Sequence, residues 1–68
     1  MKVNMDRKEK IKTLLKAQDL VRDVQVNEDD FIGETTLMLL DRSISKALNK
    51  LEKIWEENLD EVKKELKD

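Results

Sequence analysis

Apolar residues recur with an eleven-residue period along the second half of this 68-residue chain. Leu37, Leu40 and Ile44 are followed eleven positions on by Leu48, Leu51 and Trp55, and again by Leu59, Val62 and Leu66. The 3-4-4 spacing averages about 3.67 residues per turn, which keeps a stripe on one face of a nearly straight helix. The pattern predicts one long helix from about Glu28 to Leu66, roughly 60 Å at about 1.5 Å per residue. Two positions could interrupt it. Gly33 could allow a bend. Asn58 with Glu61 has capping-box spacing, so a short third helix could start there. The stripe crosses Asn58 in phase, so continuity is the expectation.

The first half predicts a shorter helix, from Asn4 or Asp6 as cap to about Val24. Its apolar face is Ile11, Leu14, Leu15, Leu20, Val21 and Val24, with Gln18 interrupting the stripe. Val24-Gln25-Val26 alternates like a strand but is too short for more than a bridge. A connector follows over Gln25 to Asp30. Asn27 is the expected cap of the long helix, with Glu28, Asp29 and Asp30 filling its first turn, where carboxylates complement the helix dipole. These acids do not fit a calcium loop. With Gly33 at loop position 6, Leu39 falls where a bidentate Glu is needed. Phe31, Ile32, Leu37, Met38, Leu39 and Leu40 cover nearly every side of the next turns. Such a segment is buried on several sides, more than one short helix covers, so a second copy of the chain is the expected cover.

Composition supports that inference. The chain lacks proline, cysteine and histidine and has one glycine. No disulfide is possible, and the commonest transition-metal ligands are missing. No cofactor is expected. A chain of this size buries only about 60% of its unfolded surface when it folds alone. Oligomerisation is then the natural staple. No apolar run approaches the roughly 20 residues of a membrane span. The start of the chain has no signal-peptide apolar region, so the expected location is the cytoplasm.

Charged residues make up 44% of the chain, yet the net charge is only −2. The distribution is uneven. Residues 1–24 hold seven basic and four acidic groups, residues 25–41 hold five acidic and no basic ones, and residues 42–68 hold seven of each. Within the predicted long helix, basic Arg42, Lys46, Lys50 and Lys53 precede acidic Glu56, Glu57, Asp60 and Glu61. A parallel in-register dimer would set like blocks side by side. An antiparallel one crossing near Lys53 and Ile54 would set Lys46 and Lys50 near Glu61 and Glu57. Exposed pairs contribute only about 0–1 kcal/mol each, so they select orientation rather than supply stability.

Candidate chemistry is sparse. Ser43 and Ser45 have no histidine base and no glycine-rich turn, and read as polar positions on a helix. One glycine builds no phosphate loop. Glu52, Glu56 and Asp60 read as solvated carboxylates. No catalytic or metal residue is assigned, and an enzyme is not expected. Trp55 lies on the eleven-residue stripe and reads as a core residue of a dimer, with an exposed hot spot as the alternative. The basic residues Lys2, Arg7, Lys8, Lys10, Lys12 and Lys16 could contact nucleic-acid phosphates, with Arg7, Lys8, Lys12 and Lys16 the favoured contacts. Asp6 and Glu9 dilute them, and no aromatic is interleaved for base stacking.

The sequence thus predicts an all-α fold: a short helix packed on a long one as a helical hairpin, dimerising antiparallel into a four-helix arrangement. The expected interface, for a second copy or another protein, is Leu37, Leu40, Ile44, Leu48, Leu51, Trp55, Leu59 and Val62. The expected function is a non-enzymatic protein-interaction module. Ile11-Lys-Thr-Leu-Leu-Lys and Val26-Asn-Glu-Asp-Asp, read as a short helix, an acid-capped loop and a long helix, are loosely similar to the first two helices of a histone fold. That resemblance covers about half the chain and implies, as the alternative, a nucleic-acid-associated dimer using the basic face of the first helix.

Overall fold

The computed structural model of the chain describes residues 5–67, which form three helices: α1 (Arg7–Val26), α2 (Phe31–Ile54) and α3 (Leu59–Lys67). Asp6 caps α1, its carboxylate accepting from the Glu9 N–H at 2.8 Å. Of the two expected caps, Asn4 lies outside the described residues. The helix runs through Val24-Gln25-Val26, so these three residues are helical rather than strand-like. Asn27 ends α1 instead of starting α2. Its N–H donates to the Val24 carbonyl at 3.1 Å, and its side chain donates to the Asp23 carbonyl at 2.8 Å. The cap of α2 is Asp30, whose carboxylate accepts from the Ile32 N–H at 3.3 Å. Gly33 sits in the first turn of α2 and the helix runs without a break past it to Ile54, so the chain is not interrupted there. The Glu28 side chain folds over it, within 2.9 Å of where a Cβ would stand.

The long helix is not continuous to Leu66. Trp55 ends α2, and Glu56 takes a left-handed conformation at φ 55°. The Glu57 N–H then donates back to the Glu52 carbonyl at 3.1 Å, the bond of a Schellman stop built without glycine. Asn58 caps α3 by accepting from the Glu61 N–H at 3.2 Å, as its spacing with Glu61 suggested. The Glu52 carboxylate reaches across the break to take the Leu59 N–H at 2.9 Å. Relative magnitudes explain the break. A left-handed non-glycine residue costs roughly 1–2 kcal/mol. Burying Leu59 and Val62 gains about 1.5–3 kcal/mol each, and a straight helix would leave both in water.

α1 and α2 pack antiparallel as a hairpin, and α3 folds back across one face of it. The core is Ile11 and Leu15 from α1, Leu48 from α2, and Leu59 and Val62 from α3, with Leu14, Ile44, Trp55 and Leu66 packed against it. The residue that broke the α1 stripe, Gln18, is 4% exposed and ties the helices together. Its amide donates to the Ser45 hydroxyl at 2.7 Å and to the Asp41 carbonyl at 3.4 Å.

Candidate interaction surface

The two faces of the hairpin differ. With about 100° between successive residues, the contact between α1 and α2 is centred on Gln18 and Leu48. α3 lies on the flank that holds Lys8, Lys12, Leu15, Ser45 and Asn49. Ion pairs rim this covered flank. Glu65 of α3 accepts from Lys8 at 2.7 Å and lies 3.2 Å from Lys12. The hydrogen bond from Lys8, then that from Lys12, holds the Glu65 carboxyl below its ordinary range. The same hydrogen bond raises the Lys8 ammonium above its ordinary value. Beyond the end of α3, Arg22 of α1 donates to the Asp41 carboxylate of α2 at 2.9 Å. A groove of about 540 Å³ runs there, between Arg22, Asn49, Lys63 and Lys67. Gln18 and Arg22 on its wall already bond within the chain, to Ser45 and Asp41.

Among the described residues, the opposite flank is covered only at the start of α1, where the Thr13 hydroxyl donates to the Met5 sulfur at 3.9 Å. The same angular count places Lys10, Thr13, Leu14, Ala17, Val21 and Val24 of α1 on it. From α2 it places Thr36, Leu40, Ser43, Ile44, Ala47, Leu51 and Ile54 there. Leu40, Val24 and Ile54 are 46%, 54% and 57% exposed. Ala17, Thr36, Ser43 and Ala47 are exposed as well. Among the described residues placed in this band, Lys10 alone is charged. It leans over Trp55, its Nζ 5.6 Å from the ring centroid, a cation–π contact. At the hairpin tip, Val26, Phe31 and Ile32 are 84%, 79% and 74% exposed. They sit among Asp23, Glu28, Asp29 and Asp30, with no basic residue between them.

The eight residues of the expected interface divide between these surroundings. Leu48, Leu59 and Val62 are buried in the chain's own core, so they are not available to a second chain as the continuous stripe implied. The break after Trp55 also removes the pairing of Lys46 and Lys50 with Glu61 and Glu57, which needed a straight helix through Asn58. Trp55 and Ile44 are half-buried against the core, and Leu37 and Leu51 are half-buried too. Leu40 alone of the eight is exposed. The open band therefore joins part of the expected stripe to positions that single out no interface in the eleven-residue pattern. Their sequence signal is a seven-residue spacing on each helix, Lys10-Ala17-Val24 and Leu40-Ala47-Ile54.

The basic segment is partly engaged inside the chain. Lys8 and Lys12 pair with Glu65, while Arg7 and Lys16 are exposed. Lys2 lies outside the described residues. Ser45 accepts from Gln18, and Ser43 lies in the open band. Among the described residues, no three acidic side chains come together as a metal site, and no helix is long and apolar enough to cross a membrane. No family model, curated protein or solved structure matches the chain.

Proposed function

We propose that this chain is a non-enzymatic protein-interaction module, a small regulator, adaptor or accessory subunit, that works as a helical homodimer. The two hairpins stack through their uncovered flanks into a four-helix arrangement, and each α3 lies on the outside. The observation that carries this reading is the open flank itself. In a chain with 44% charged residues, a two-helix face carries one charge and exposes Val24, Leu40 and Ile54. Faces that remain in water usually carry charge, and contiguous apolar patches mark association sites. The fold supports the reading in a second way. A single small core of five buried side chains is what a chain of this size builds when a partner completes it.

Sedimentation equilibrium over a wide concentration range tests the proposal. A dimer in the wild type and a folded monomer in the Val24→Lys, Leu40→Lys double variant are expected. Both side chains are exposed in the single chain, so the substitution spares the monomer fold. A wild type that stays monomeric at high concentration removes the homodimer. The open flank would then be read as the site for a different protein.

A further inference from the structure

We infer that the second copy docks tip to tail, with the acidic hairpin tip of one chain over the start of α1 of the other. This rests on the homodimer proposed above and adds its geometry. Two twofold arrangements stack the open flanks face to face. In one the tips lie together, and each α1 covers the partner's α2. In the other the tips lie at opposite ends, and each α1 runs antiparallel over the partner's α1. Both give antiparallel neighbours throughout, so helix packing alone does not choose between them.

Charge chooses. The tip carries Asp23, Glu28, Asp29 and Asp30 without a compensating base. Glu28 and Asp30 use carboxylate oxygens to hold backbone N–H groups, of Asp30 at 2.9 Å and of Ile32 at 3.3 Å, and this fixes them at the tip. Tip to tip, the two acidic sets meet, and like charges at close range oppose association. Tip to tail, the acidic tip instead lies over an end of mixed charge, where Arg7 and Lys10 of the partner stand beside Asp6, Glu9, Glu56 and Glu57, so the concentrated acidic repulsion is avoided. Lys10, the lone charge in the open band, then lies at the place where an acidic partner arrives.

Size and shape agree. The band is about 30 Å long and about 18 Å across two helices. That is roughly 550 Å² per chain and 1,100 Å² in total, just above the area that separates specific interfaces from chance contacts. Ala17 stands at the middle of the band on α1 and Ala47 close to the middle on α2. Small side chains there let the helices approach.

The chain has no cysteine, so introduced ones are unique. A spin label on Asp29→Cys gives the tip-to-tip distance directly by pulsed electron resonance. Tip-to-tail pairing separates the labels by roughly 35 Å, and tip-to-tip pairing brings them under roughly 20 Å. In the tip-to-tail dimer Ala17 faces its own copy at the twofold axis. Ala17→Cys is therefore expected to form an intermolecular disulfide under mild oxidation, and Asp29→Cys is not. A short label distance, or a disulfide at Asp29→Cys but not at Ala17→Cys, overturns the arrangement and leaves the homodimer standing. A monomer in sedimentation overturns both.

Discussion

The two flanks of one hairpin, made from the same two helices, have opposite fates. At the seam with α1 and beneath α3, Leu48 is 3% exposed; two turns earlier on the same helix, on the open flank, Leu40 is 46% exposed. Both positions are leucine and both lie on the eleven-residue stripe. What separates them is cover: Leu48 packs against both α1 and α3, and α3, a helix of nine residues, is only about 13 Å long. It covers one flank over half its length and cannot reach the other. Charge follows the same division. The covered flank is rimmed by Lys8 and Lys12 with Glu65, and by Arg22 with Asp41. The open flank carries only Lys10. A buried core and an open apolar flank are therefore told apart here by what the chain folds over them.

The largest expected effect tests this contrast. Leu48→Ala removes a core side chain and should cost about 2–5 kcal/mol. Leu40→Ala should cost less than about 0.5 kcal/mol in dilute solution, as an exposed substitution does. It should also raise the dimer dissociation constant at least about tenfold, the equivalent of about 1.4 kcal/mol. Urea unfolding of both variants at low and high concentration reads all three. Equal losses in dilute solution would show that the flanks do not differ.

Much of this architecture is legible in the residues. The all-α composition, Asp6 as cap, the buried Ile11 and Leu15 of α1 and the partnership of Asn58 with Glu61 are read directly from spacing, whereas Leu20 and Val24 of the expected α1 face are 66% and 54% exposed. The break after Trp55 is not. The eleven-residue stripe continues in phase, and the left-handed stop falls on Glu56, a residue with no preference for that conformation. A stripe of this kind is satisfied by a second chain or by the same chain folding back, and periodicity is blind to the choice. Gln18 is illegible for a related reason: a polar residue on an apolar face reads as an interruption until its partners, Ser45 and Asp41, are brought 2.7 and 3.4 Å away. The acidic connector is legible as a helix start. Which acid caps depends on how far α1 runs, and it runs two residues past Val24.

The next effects act on the break that lets α3 cover one flank. Asn58→Ala removes the side chain that accepts the Glu61 N–H, and loss of such a cap costs about 1 kcal/mol. Glu56→Gly should act in the other direction and stabilise by up to about 1 kcal/mol, because glycine adopts the left-handed conformation without a Cβ clash. Thermal unfolding of the two variants should show midpoints displaced to opposite sides of the wild type. A Glu56→Gly variant less stable than the wild type would mean that chain freedom gained on unfolding outweighs the relieved clash.

The smallest effect sits at the rim, where Glu65 anchors α3 to Lys8 and Lys12. Its carboxyl lies below its ordinary value of 4.5 because the charged form accepts hydrogen bonds from both lysines. The stability it contributes is present above that ordinary value and is lost as pH falls through the lowered folded value. Lys8 lies above its ordinary value of 10.5, held there by the same hydrogen bond. Its contribution is complete below that value and is lost as pH rises through the raised folded one. Glu65→Gln removes the pairs at every pH. The difference in unfolding temperature between wild type and variant should therefore form a plateau across neutral pH and shrink at both the acid and the alkaline ends. Because the groups are exposed, added salt should lower that plateau. A difference that is flat with pH and indifferent to salt would assign the Glu65 contribution to packing, and the covered flank would then owe its closure to the apolar contacts of Leu59, Val62 and Leu66 and to the Glu52 bond at the start of α3.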